Sequence, residues 1–146
     1  MSRKADRRHA LCLIFAKHFH EEAICLDETV DYYNKNFAKD ITDSKIKEID
    51  YVLRVFAGVD EHHEEIDGLI AKTSNSWDLS RISRLDLAVM RLAVYEMLHE
   101  ADIAPSVSIN EAVEIAKEFS SEEAGKFVNG ILGKIVKNLD GKNDGN

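Results

Sequence analysis

The stretch Arg84-Leu85-Asp86-Leu87-Ala88-Val89-Met90-Arg91-Leu92-Ala93-Val94-Tyr95-Glu96-Met97-Leu98-His99 decides the fold. Wound at about 100° per residue, its apolar groups fall into two stripes. Leu85, Ala88, Val89 and Leu92 make one; Leu87, Met90, Val94, Met97 and Leu98 make the other. A helix coated on two sides needs neighbours on more than one side, so this one belongs inside a helical bundle.

The flanks keep the helical period. Downstream, Pro105 ends a connector, and Ser108-Ile109-Asn110-Glu111 fits a capping box. The helix it opens turns Ile109, Ala112, Val113, Ala116 and Phe119 to one side. Ser120 and Glu123 offer a second capping box. The final helix, about 121–138, buries Phe127, Val128, Ile131, Leu132 and Ile135. Residues 141–146 read as a frayed tail. Asn129 and Gly130 inside that helix suggest a close helix approach, since both are poor helix formers.

Upstream, residues about 3–25 read as one helix, apolar on most sides beyond its first turns. Those first turns are basic, carry no large apolar group, and are expected to project into solvent. A short helix follows over about 28–37, broken by Lys39–Ser44. The next starts near Asp43 or Ser44, with Ile46, Ile49, Leu53 and Phe56 on one stripe, and another spans about 60–72 with Ile66, Leu69 and Ile70 inward. The polar run Thr73-Ser74-Asn75-Ser76 separates an N-terminal subdomain, about 1–75, from a C-terminal one, about 76–140. Trp77 and Asp78 then lead into a one-turn helix. The expected fold is all-α, about seven helices in two packed helical-bundle subdomains.

Composition agrees. With 146 residues, 45% hydrophobic and 32% charged, the chain can bury a core without staples. One Pro and seven Gly are too few to punctuate an all-β protein. No run approaches the roughly twenty apolar residues of a membrane span, and no secretory signal is visible, so the cytoplasm is the expected compartment. Cys12 and Cys25 suit buried small hydrophobes better than a disulfide or a metal site.

The net charge of −8 argues against broad nucleic-acid binding, yet residues 1–9 carry a local +3. Arg3, Lys4, Arg7 and Arg8 span an arc of about 140° on a helix, a strip able to follow a phosphate backbone. Basic residues in a first turn oppose the helix dipole, so something must offset that placement. Histidines cluster at His18/His20 and at His62/His63, but neither cluster has the spacing of a known metal motif, and both read as solvated helix faces. No phosphate loop, dinucleotide fingerprint or nucleophile elbow is present, and no catalytic residue, cofactor or metal is expected. Arg81, Arg84 and Arg91 near Asp86 and Glu96 suggest structural ion pairs or the rim of a partner surface. Phe127 has helical core spacing; exposed beside Lys126, it would instead stack unpaired RNA bases.

The run Ile109–Phe119, with Lys126-Phe127-Val128-Asn129-Gly130-Ile131-Leu132, closely resembles the NusB transcription antitermination family. Asp86, Arg91, Ala93, Tyr95 and Glu96 match the preceding family helix, and Arg7-Arg8-x-Ala10-Leu11-x-x-x-Phe15 is similar to the family's arginine-rich start. The resemblance implies a non-enzymatic protein of two helical subdomains. It implies binding to boxA-type single-stranded RNA of ribosomal RNA leaders, together with the small-subunit ribosomal protein NusE. The RNA polymerase antitermination complex then reads through terminators. Arg3, Lys4, Arg7, Arg8, Glu123, Lys126 and Phe127 match the family's RNA-binding positions. Phe15, Arg81 and Asp86 match partner-facing ones, Phe15 standing where a tyrosine is usual. Asp6 interrupts the basic arm. The competing expectation is a helical adaptor or homodimer that binds no RNA, with the arm idle.

Overall fold

The computed structural model describes residues 2–17, 26–42, 44–74 and 79–144. Among them are eight α-helices: α1 (Ser2–Lys17), α2 (Leu26–Asn36), α3 (Ala38–Thr42), α4 (Ile49–Glu61), α5 (His63–Ser74), α6 (Arg84–His99), α7 (Pro105–Phe119) and α8 (Glu122–Asp144). A single 3-10 turn spans Leu79–Arg81. The fold is all-α, as expected. Two compact units divide the chain, Met1–Glu61 and His62–Asn146. This division falls one helix ahead of the polar connector at 73–76, because α5 packs on α6 and α8.

In the first unit α1 lies on α3 and α4, and α2 on α3 and α4. Its first turns do not project into solvent. Asp6 and His9 are fully buried, and Arg7 and Arg8 are only 4% and 9% exposed. The reason is long-range. The Asp6 carboxylate accepts hydrogen bonds from the backbone N–H of Lys47 (2.9 Å) and Glu48 (2.7 Å), the residues just ahead of α4. These donors have no partner within a helix, and a carboxylate satisfies them well.

That contact also sets where α4 begins. The helix opens at Ile49, after an irregular approach in which the Ile46 N–H donates to Asn34 Oδ1. Its buried face is Tyr51, Val52, Val55, Phe56 and Val59; Ile49 is exposed and Leu53 half-buried, so the stripe expected from Ile46 onward is rotated. Lys39–Ser44 does not simply break the chain: Ala38–Thr42 forms a helical turn of its own, around the buried Ala38.

Beneath the arm lies a polar network. His9 Nε2 approaches the Ser44 carbonyl (2.9 Å), and its Nδ1 lies 2.8 Å from the Tyr33 hydroxyl. A carbonyl can only accept, so Nε2 carries the proton and Nδ1 accepts from Tyr33. Burial lowers the pKa of His9 from 6.5, overcoming the opposing pull of Ser44 and Asp6. Burial likewise pushes the Cys12 thiol and the Tyr33 hydroxyl up. The unfolded chain therefore takes up a proton near 6.5 that the folded chain still refuses. Between those two pKa values the unfolded state holds more protons, so stability falls as pH drops through this window. Urea midpoints should be lower at about pH 5.5 than at about pH 7.5, and His9→Gln should flatten that part of the slope. Equal slopes in the two proteins would exclude His9 as the group responsible.

In the second unit α6 packs on α5, α7 and α8, which is what its two stripes require. Every residue from Asp86 to Glu96 is buried except Arg91. Arg91 makes a two-pronged bond to Asp67 of α5, Nε to Oδ1 and Nη2 to Oδ2, both 2.8 Å. Ser83 caps α6 by accepting the Asp86 N–H.

The later helix starts differ from the capping-box reading. Pro105 occupies the first turn of α7, where its fixed φ helps and its missing N–H is not needed. Ser108 is thus inside the helix, buried, and donates to Glu96 Oε1 (2.8 Å). At α8, Ser121 accepts the Ala124 N–H, one residue later than the Ser120 cap expected. The helix runs on to Asp144, since no proline stops it and extending a formed helix is easy. The tight α7–α8 approach is at Gly125, where a Cβ would stand 2.7 Å from Lys117 Cγ; Gly130 has open space instead.

Candidate nucleic-acid interface

The basic arm is a helix from Ser2 onward. Its unfavourable dipole placement is offset by acceptors brought from α4 and its approach. Arg3 donates to Glu48 Oε2 from Nε (3.1 Å) and Nη2 (2.6 Å), and its guanidinium lies 4.0 Å from the centre of the Tyr51 ring. Arg8 Nη1 donates to the Lys4 carbonyl (3.1 Å). Lys4 is exposed and Arg3 partly so; Arg7 and Arg8 are buried. The arm is therefore a docked edge, with Lys4 and the outer side of Arg3 open to an anion. Asp6, read from sequence as an interruption, is the group that docks it.

On the second unit, Glu123, Lys126 and Phe127 all lie exposed in the first two turns of α8. Phe127 is 41% exposed, so it is not a core residue, whereas Val128, Ile131, Leu132 and Ile135 are buried as expected. Phe127 shares a side of α8 with Ile131 at i, i+4 but lies about 100° from Val128, at the edge of the buried face. Phe119, placed on the inner stripe by its spacing, is 43% exposed at the end of α7. Between α7 and α8 runs an open groove of about 470 Å³ lined by Asn110, Val113, Glu114, Lys117, Gly125, Lys126 and Asn129. Sequence reasoning missed this groove. Its one signal was Asn129, a poor helix former in an apolar helix.

The chemistry of this face is mixed. Lys117 and Lys126 can meet phosphates beside the acidic Glu114, and the Asn side chains can donate to and accept from base edges; the exposed Phe127 ring, outside the groove lining, can stack bases.

The partner-facing candidates are placed separately. Phe15 is half-buried on α1 of the first unit. In the second, Arg81 is exposed at the end of the 3-10 turn, and Asp86 is buried in the first turn of α6. Among the described residues Asp86 Oδ1 is buried without a hydrogen-bond partner. An orphaned carboxylate oxygen is costly, and a donor from outside the chain would satisfy it. Among the ion pairs beside this helix is Arg91–Asp67.

Two further groups bear on ligand chemistry. His62, Glu65 and His99 come together on α5 and α6, their ligating atoms within 4.8 Å of one another. The His18/His20 cluster lies outside the described residues, as do Cys25, Trp77 and Asp78. Among the described residues no helix is long and apolar enough to cross a membrane.

Comparison with known proteins agrees along nearly the whole chain. The NusB family model matches residues 4–137. The transcription antitermination protein NusB of Acetivibrio thermocellus is 48% identical over 141 residues, covering 94% of this chain and 90% of that protein. T. maritima NusB superposes with a TM-score of 0.75 at 34% identity, covering 92% of this chain and 90% of that one. A structure of antitermination factors NusB and NusE in complex with dsRNA matches with a TM-score of 0.75 at 25% identity, covering 93% and 96%. The basic, docked first helix and the exposed Lys126-Phe127 pair thus stand on a fold shared with these proteins, and the chain belongs to the NusB family.

Proposed function

We propose that this chain is a transcription antitermination factor that binds boxA-type single-stranded RNA jointly with the ribosomal protein NusE, within the RNA polymerase antitermination complex of the cytoplasm. The observation that carries the reading is Phe127, an exposed aromatic in the second turn of α8, on the helix whose Lys126 and Asn129 line a polar groove. A ring so placed stacks on unpaired bases, and the adjoining cations position phosphates.

The remaining residues take the other roles. Arg3, Lys4, Arg7 and Arg8 supply the positive edge, with Lys4 and Arg3 making the direct phosphate contacts. Glu123 borders the stacking face. Phe15, Arg81 and Asp86 face NusE, and Asp86 Oδ1 accepts a donor from it. The reading assigns no catalytic step.

Few cations serve RNA on this acidic chain. Four phosphate contacts to a single strand correspond to a salt slope of only about −3. Tight, selective binding then depends on a second protein adding contacts and fixing geometry.

Fluorescence anisotropy with a boxA-like RNA and a scrambled control, with and without NusE and at two salt concentrations, tests this. The expected result is sequence-selective binding that NusE strengthens. Weak, salt-sensitive binding of both RNAs alike, unchanged by NusE, would overturn it in favour of an adaptor or homodimer.

A further inference from the structure

We propose that His62, Glu65 and His99 form a binding site for a divalent transition-metal ion of the zinc type. The inference is independent of RNA binding. It rests on three side chains of the second unit that sequence distance conceals: His99 and Glu65 are 34 residues apart, yet His99 Nε2 lies 3.3 Å from Glu65 Oε1.

That separation is itself informative. Two ligands about 2.0–2.1 Å from a tetrahedral zinc ion stand roughly 3.3 Å apart. One edge of a coordination tetrahedron is thus already in place. All three ligating atoms fall within 4.8 Å of one another, so closing the third ligand onto an ion needs a shift of about 1 to 1.5 Å and a turn of one imidazole.

The scaffold supports such a site. The His62 and His99 rings stack, centroids 4.1 Å apart and tilted by 24°. Tyr95, buried one turn before His99, lies 5.2 Å from the His99 ring and 6.5 Å from the His62 ring. Imidazole lone pairs lie in the ring plane, so binding one ion requires one of the two rings to turn out of this stack, a movement that the partly exposed His99 is free to make. The Arg91–Asp67 fork fixes the register of α6 against α5 two turns from His99. His99 ends α6, where the negative end of the helix dipole favours a cation.

The donor set selects the ion. Two imidazoles and one carboxylate suit zinc and its neighbours; magnesium and calcium prefer all-oxygen sites. Three protein ligands leave a fourth position for water. Glu65 is exposed and His99 partly so, which leaves an entry path. A bound ion would clasp the start of α5 to the end of α6.

The test is isothermal titration calorimetry of the untagged full chain with zinc chloride, joined by cobalt(II) absorption and circular dichroism. One ion per chain is expected, with the intense visible bands of four-coordinate cobalt. Affinity should fall about tenfold or more in His62→Ala/His99→Ala and in Glu65→Gln, and stay unchanged in His18→Ala/His20→Ala. Zinc should also raise the unfolding temperature of the intact chain. No zinc uptake by the intact chain, a cobalt spectrum like that of the aqueous ion, or loss of binding only in His18→Ala/His20→Ala would overturn the site. Should His62→Ala/His99→Ala lose its circular dichroism, the cobalt spectrum of the intact chain and the folded Glu65→Gln variant still decide.

Discussion

Asp6→Ala should lower the unfolding free energy by about 3 kcal/mol, because it removes two charge-assisted hydrogen bonds and strands two backbone N–H groups. The carboxylate is fully buried and receives the N–H groups of Lys47 and Glu48. Each bond of this kind contributes about 1.5–3 kcal/mol net. Without it, these two N–H groups have no acceptor and α1 loses one of its ties to that helix, Arg3 keeping its contacts with Glu48 and Tyr51. Urea denaturation followed by circular dichroism measures the effect. Asp6→Asn keeps one acceptor oxygen and should cost clearly less. A loss under about 1 kcal/mol in Asp6→Ala would mean that water reaches these groups and replaces the carboxylate.

Phe127→Ala should weaken binding of a boxA-like RNA by about 5- to 150-fold, the 1–3 kcal/mol of one base-stacking contact. Stability should change by less than about 1 kcal/mol, since the ring is already 41% exposed. Phe127→Trp keeps a stacking face and should keep the affinity. A destabilisation of about 3 kcal/mol or more, as for a truncated core phenylalanine, would instead return Phe127 to the hydrophobic core. Unchanged RNA affinity would remove it from the RNA path. This variant separates RNA binding from folding in a way that charge reversal at Arg7 and Arg8 cannot. Those two side chains are buried, and reversing them would put carboxylates where the arm is packed.

What the sequence made legible depends on how local the cause was. The two stripes of residues 84–99 identified α6 to its end residues, because packing on three helices demands that pattern. The start of α4 was not legible: its partner is Asp6, 41 and 42 residues away from the N–H groups it receives. The same contact buries the arm, which charge alone had placed in solvent. Two sound capping signals competed at α7, and the rigid Pro105 outranked the Ser108 box, freeing Ser108 to serve a buried Glu96. Phe119 and Phe127 have core spacing in sequence but end up largely exposed, Phe119 at the end of α7 and Phe127 in the second turn of α8. His62 and Glu65 are close in sequence, but only the packing of α5 on α6 brings in His99.

The tether from Asp6, with Arg3 seated between Glu48 and the Tyr51 ring, has a thermodynamic meaning for any polyanion that reaches the arm. A basic segment that is coil in isolation must freeze its backbone on contact, giving up about 1–2 kcal/mol per residue and burying fresh surface as it does so. Here the first helix is already wound and moored before any ligand arrives. Association at this edge is rigid docking, with no coupled folding step and no large negative heat-capacity change to report one.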